Sequence, residues 1–364
     1  MAGGQADRQA DRQDEDILFA RRGAVGLVTL NRPRALNALS LAMIAALHAQ
    51  LRAWETDAAI TRIVLRGTGG RAFCAGGDVR ALHALAKAGR HAEVDAFWHG
   101  EYGLDACIQA YPKPIVSLID GLCMGGGNGL SLHGSHRVAA EGYRFAMPEV
   151  GIGFFPDVGM TYALPRLPGR TGTYLALTGA TLGPGDALAL GLATHHAPAG
   201  RFDAIVADLA GGGAVDAVLA GHAEPPPPTG PVTAERAVID ACFAGPGVAD
   251  ILARLDGAAG SGFAADTAAL LRTRSPTSLC IAHAQMRRGA TMTFAQAIAV
   301  ETRLAAWLMD GHDFFEGVRA ALIDKDGAPA WRPATLEAVD HAAIARIFEA
   351  PFAATGGPAP RSDT

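Results

Sequence analysis

IVSLIDGLCMGGGNGL (residues 115–130) and, a short way on, FAMPEVGIGFFPDVG (residues 145–159) decide how this chain is read. The first opens with five residues of strand character, Ile115–Ile119, and runs into Gly125, Gly126 and Gly127 before a helical pattern from about Asn128. Glycine lacks a Cβ, so a backbone N–H in such a run can come close to a ligand. With a helix starting near Asn128, the N–H of Gly126 points outward with the positive end of the helix dipole behind it, which suits a developing negative charge. The second stretch carries two carboxylates, Glu149 and Asp157. Glu149 stands among Phe145, Met147, Val150 and Ile152, surroundings that desolvate a carboxylate, raise its pKa and suit it to acid–base work.

The same kind of junction occurs upstream. ITRIVLRG (residues 60–67) reads as a strand, RAFCAGGD (residues 71–78) follows, and a helical pattern begins at Val79. An oxyanion hole needs two donors, and the N–H of Gly77 is the companion expected for that of Gly126. One glycine run alone is most simply a tight turn with close helix packing. Two such junctions beside a desolvated carboxylate favour chemistry.

Residues 24–30 read as a further strand, and Ser40 can cap a helix whose Ile44, Leu47, Leu51 and Trp54 share one face. Strands alternating with helices predict an α/β fold. Four consecutive prolines in AEPPPPTGP (residues 223–231) forbid helix and extend the chain. Beyond them residues 234–348 are mostly helical by pattern, with a helix start at Thr277 or Ser278 and an apolar face at Trp307 and Leu308. The expected organisation is a disordered segment at 1–16, an α/β core with the active site at 17–222, a Pro-rich linker at 223–231, a helical C-terminal region at 232–352 and a disordered tail at 353–364.

Composition narrows the function classes. Hydrophobic residues at 49% against 18% charged describe a compact globular protein, and a net charge of −5 gives no general pull toward nucleic acid or an anionic membrane. A phosphate-bearing ligand must be met by local positive groups. Lysine occurs only at 87, 113 and 325, and the abundance of arginine, alanine and glycine suggests a GC-rich bacterial genome. The five cysteines are scattered and odd in number, as expected of buried thiols in a reducing cytoplasm. Neither a signal-peptide core nor a transit-peptide composition is found at the N-terminus, so cytoplasm is the expected compartment. His133 and His136 lack a third ligand and read as packing residues rather than metal ligands. Ser131 lacks the surroundings of a nucleophile elbow. His312, Asp313, Glu316 and Arg319 read as a capping and salt-bridge network.

AFCAGGD, DGLCMGGGNGL and FAMPEVGIGFFPDVG, in this order and spacing, resemble the crotonase (enoyl-CoA hydratase/isomerase) superfamily. LALTGATL (residues 175–182), RSPTSL (274–279), GHDFFEGVRAALIDKD (311–326) and APAWRPATL (328–336) resemble its 3-hydroxyisobutyryl-CoA hydrolase branch. The resemblance covers residues 17–350. It implies a crotonase-like ββα superhelix with a helical C-terminal region, and an acyl-CoA thioester held by the N–H groups of Gly77 and Gly126. It also implies catalytic roles for Glu149 and Asp157, with Glu101, Gly126, Glu149 and Asp157 contacting the substrate. For Glu101 an exposed helix charge is an almost equal reading of the sequence alone. Superfamily hydratases carry a second glutamate where this chain has Gly129, so the resemblance implies hydrolysis, above all of 3-hydroxyisobutyryl-CoA from valine breakdown, rather than hydration. An isomerase and a catalytically idle acyl-CoA-binding paralogue are the alternatives. No metal or redox cofactor is expected, since coenzyme A arrives as part of the substrate, and a homo-oligomer is compatible with the sequence.

Overall fold

The computed structural model describes residues 15–258 and 260–352. The expectations for residues 1–14 and 353–364 lie outside the described residues. Glu15 and Asp16, which composition assigns to the N-terminal tail, are engaged: the Asp16 carbonyl accepts from the Asn31 N–H at 2.8 Å, and its carboxylate lies 3.5 Å from Arg32.

The larger sheet contains β1 (Ile17–Arg22), β2 (Val25–Leu30), β3 (Arg62–Gly67), β5 (Ile115–Ile119), β7 (His136–Ala139) and β9 (His195–His196), in the order β1-β2-β3-β5-β7-β9. A smaller sheet stacks β4 (Ala72–Cys74), β6 (Leu122–Met124) and β8 (Arg144–Ala146) in that order. Only β1 and β2 pair antiparallel; every later pair is parallel. From β3 onward the chain places one strand in the large sheet and the next in the small one, then crosses over and advances one position in both. That repeat is the expected ββα superhelix, with mixed α/β content.

The central strands are buried on both faces, which is why β5 reads as an unbroken apolar run rather than an alternating one. Ile115 and Ile119 face the main core, whereas Val116 and Leu118 join a second cluster with Val25, Leu27, Val64 and Val138 under Ile205, Leu209 and Leu219. Helix α1 (Leu41–Thr56) begins at Ser40, whose hydroxyl accepts from the Met43 N–H, and it buries Ile44, Leu47, Leu51 and Trp54. Helix α2 (Val79–Lys87) starts where the pattern does, and α3 (His91–Gln109) packs on α1. Helix α4 (Gly126–Leu132) starts two residues before the expected Asn128.

The proline-rich stretch is non-helical and mostly exposed, and a short helix begins already at Pro231. Asp186 fastens the junction by accepting from the N–H groups of Gly230 and Thr233. The helices that follow, including α5 (Pro276–Arg288) and α6 (Phe294–Met309), share the main core: Val232, Ile239, Leu279 and Val300 belong to the same cluster as Ile63 and Phe145. Helix α5 begins at Pro276 with Ser275 as its cap, a residue or two before the expected start. Pro at the first helical position and a Ser side chain accepting from the Ser278 N–H explain the earlier start.

Candidate active site

The two glycine junctions meet. Residues 74–78 leave β4 and pass directly beside the turn between β6 and α4, so that a Cβ on Gly76 would lie 3.5 Å from the Gly126 nitrogen. In the bridge between the two segments, Leu39 donates its N–H to Gly76 and accepts from Asp78, which leaves the intervening N–H of Gly77 without a partner among the described residues. Gly126 is the first residue of α4, where an N–H has no acceptor within the helix. Gly125 ahead of it adopts φ +47, ψ −123, a conformation strained for any residue bearing a Cβ.

Carboxylates crowd this turn. A Cβ at Gly126 would overlap Glu101 Oε1, and one at Gly125 would come within 3.0 Å of Glu149 Oε1. Glu101 is only 3% exposed, so the exposed-charge reading is set aside; α3 carries it inward. Glu149 opens a 3-10 turn, Glu149–Ile152, after Pro148. Asp157 accepts from the Tyr102 hydroxyl at 2.9 Å. Thus Glu101, Glu149, Asp157, Gly77 and Gly126 converge on one buried locus. His133 and His136 are engaged with other partners: the first faces the Val158 carbonyl, the second Asp216. Among the described residues no three His, Cys, Asp or Glu side chains are grouped as a metal site.

Two residues that the sequence reading passed over belong to the same cluster. Tyr102 is fully interior, and Asp105, one helical turn beyond Glu101, is buried with neither oxygen partnered among the described residues. Two acids four apart share a helix face; on the buried side of α3 that pair was the available signal. Asp105 also explains Gly129. A Cβ there would lie 2.5 Å from Asp105 Oδ1 and 2.9 Å from Val158 Cβ, so the space a side chain at 129 would need is already filled.

A stack of buried aromatic side chains shares elements with these acids. Trp98 stacks on Phe154 at 4.9 Å, Phe154 on Phe155 at 4.5 Å, and Phe314 of the C-terminal region closes on Phe154 at 5.5 Å. Desolvation pushes the Glu149 and Glu101 carboxyls well above their usual range, and repulsion from Asp157 adds to it. Asp157 is raised to about 7 by desolvation, against the hydrogen bond from Tyr102. Asp105 is raised by burial and then by Glu101 and Asp157. Several acids that share one buried volume repel each other's ionisation, which disposes the cluster to retain protons. It can therefore accept and return a proton during one turnover.

The remaining expected features are structural. Ser131 Oγ donates to the Gly127 carbonyl. Asp313 accepts from Ser275 Oγ at 2.6 Å and from the Arg332 N–H, and Arg319 bridges Glu316, Asp324 and Asp326. All five thiols are free. Among the described residues no helix is long and apolar enough to cross a membrane.

Comparison with known proteins agrees with the geometry. The enoyl-CoA hydratase/isomerase family profile matches residues 25–348. The chain is 43% identical over 343 residues to the mitochondrial 3-hydroxyisobutyryl-CoA hydrolase of Rattus norvegicus, covering 92% of this chain and 89% of the relative. To the human protein of the same name it is 40% identical over 349 residues, with the same coverage. Among solved structures, a carnitinyl-CoA dehydratase from Mycobacterium thermoresistibile is 43% identical with a TM-score of 0.87, covering 93% of this chain and 98% of that one. An enoyl-CoA hydratase from Rhodobacter sphaeroides is 40% identical with a TM-score of 0.85, covering 92% and 97%.

Proposed function

This chain belongs to the enoyl-CoA hydratase/isomerase family, and from that premise we propose that it hydrolyses 3-hydroxyisobutyryl-CoA to 3-hydroxyisobutyrate and coenzyme A, a step of valine breakdown. The names of its relatives divide between hydrolases and hydratases or dehydratases. The observation that carries the choice is the filled space at Gly129. Addition of water across a double bond in this family uses a second glutamate from that position; here the position is glycine, and a Cβ on it would lie 2.5 Å from Asp105 Oδ1 and 2.9 Å from Val158 Cβ.

The thioester oxygen sits between the N–H groups of Gly77 and Gly126, which hold the oxyanion of the tetrahedral state. Glu149 either attacks the carbonyl carbon, giving a mixed anhydride that water then opens, or takes a proton from water that attacks directly. In both routes the C–S bond breaks and the thiolate of coenzyme A needs a proton. Asp157, with a pKa of about 7, is suited to donate it and to recover one from water. Glu101 and Asp157 orient the acyl hydroxyl, the water or the leaving thiol. No metal or redox group enters this scheme. Cytoplasm remains the proposed compartment on the reading of composition and free thiols, and a bacterial origin on the residue usage; "mitochondrial" describes the relatives.

The test is a thiol-reagent assay with 3-hydroxyisobutyryl-CoA, run beside hydration of crotonyl-CoA. Thiol release with negligible hydration is the expected result. Efficient hydration would return the chain to the hydratases, and silence in both assays would favour an acyl-CoA-binding paralogue.

A further inference from the structure

The backbone around Asp157 is held in a conformation it would not adopt unaided. Val158, a β-branched residue, has φ +52, and Gly159 follows at φ +83. A branched side chain in the left-handed region is disfavoured and persists only where surrounding contacts over-determine it. Those contacts come largely from the C-terminal helices. Glu301 of α6, wholly buried, accepts from the Gly159 N–H at 2.7 Å through one carboxylate oxygen and from the Thr161 N–H at 2.8 Å through the other. Gln285 of α5, also wholly buried, donates to the Pro156 carbonyl at 2.8 Å and to Thr161 Oγ1 at 2.7 Å. His133 grips the Val158 carbonyl at 2.7 Å, and its ring lies edge-on to Phe294 at the start of α6.

The peptide is thus tied on the residue before Asp157 and on three after it, while the Asp157 side chain remains free to meet Tyr102. A carboxyl group committed to two backbone N–H groups in the core is a costly way to hold a loop, because burial strips its hydration and lifts its pKa to about 8 against the pull of those two bonds. Simple packing would be served by an apolar residue at 301. The bonds to two specific amides instead hold the backbone two and four residues beyond Asp157.

We infer that Glu301 and Gln285 are positioning residues for Asp157, so that the C-terminal helices complete the catalytic site by setting the strained 156–161 turn. The inference rests on the proposed role of Asp157 in thioester hydrolysis, and it deepens that role. Misplacement of a reacting group by about 1 Å is enough to cost about 10²-fold in rate.

A double-mutant cycle tests it, with turnover counted per folded molecule. Glu301→Gln keeps the shape but turns an amide NH2 toward one of the two N–H donors. It should lower kcat at least about tenfold while leaving KM within about threefold, because the glycine junctions that hold the thioester are untouched. In an Asp157→Asn background the same change should cost less than about twofold, since the group being positioned has already been disabled. An equal loss in both backgrounds would make Glu301 merely structural and overturn the inference, as would unchanged kcat in folded Glu301→Gln. Should that variant not fold, Gln285→Met, which removes the ties to Pro156 and Thr161, goes through the same cycle with the same criteria. Parent-like turnover by Asp157→Asn alone would instead remove Asp157 from the mechanism, a distinguishable result that withdraws the purpose of the clamp with it.

Discussion

Asp157→Asn should yield a more stable protein at alkaline pH and a poorer enzyme. Burial lifts the Asp157 carboxyl from 3.8 to about 7 in the folded state. A folded pKa above the unfolded one means that the native protein keeps a proton which the unfolded chain releases as pH rises across that interval. The favourable contribution is therefore fully present below the unfolded value, declines through the window, and is gone above about pH 7. At about 1.36 kcal/mol per unit of difference the whole decline amounts to roughly 4 kcal/mol. That figure is a ceiling, because Glu101 or Glu149 can take up the proton instead. Asparagine preserves the shape, and its carbonyl can still accept from Tyr102, but it never ionises. Urea unfolding of the two proteins should give equal stability near about pH 4 and a lead of a few kcal/mol for the variant near about pH 8, while thiol release falls. Stability curves that run parallel over this whole range would refute the reasoning, since Asp157 would then ionise as freely in the native protein as in water.

Three further outcomes are expected. Glu149→Gln should lower hydrolysis by about 10²–10⁴-fold while the protein folds and binds the CoA ester; near-normal turnover would dismiss Glu149 as base or nucleophile. An ester in place of the amide at residue 126, introduced by semisynthesis, deletes one donor without changing shape and should cost roughly 10²–10³-fold in kcat. Equal turnover would mean that the thioester oxygen is held elsewhere. Gly129→Glu should lower the thermal midpoint and confer no crotonyl-CoA hydration, because its side chain collides with Asp105 and Val158; a stable variant that hydrates would show that this part of the cluster yields.

The local elements were legible where local chemistry decides them. Residues 115–119 form a strand because five successive apolar or small residues suit a position covered on both faces, and Ser40 caps α1 because its hydroxyl has an N–H within reach. Strand β1 was not visible: it is an edge strand that turns polar at Arg21 and Arg22, and its pairing with β2 is a non-local fact. The glycines and the carboxylates at 149 and 157 stood out because such residues are unusual in apolar sequence. Asp105, Glu301 and Gln285 did not. Each occupies an ordinary helical position; for Asp105 the spacing from Glu101 is a signal, whereas for Glu301 and Gln285 only the packing of α5 and α6 against the turn after Asp157 distinguishes them from a solvated charge or amide. The ββα winding itself came from resemblance, since no periodicity announces which sheet a strand will join.

The tie between Gly159 and Glu301 spans 142 residues of chain. At a synthesis rate of about 5–20 residues per second, roughly 7–30 s pass on the ribosome between the emergence of the two ends. During that interval the nascent protein already owns both glycine junctions, all the acids from 101 to 157, Tyr102 and His133, yet the turn that aims Asp157 still lacks its ties to Gln285 and Glu301. Reactive groups are made early and their aim late, so thioester cleavage should begin abruptly with the arrival of α6 rather than grow with the length of chain produced.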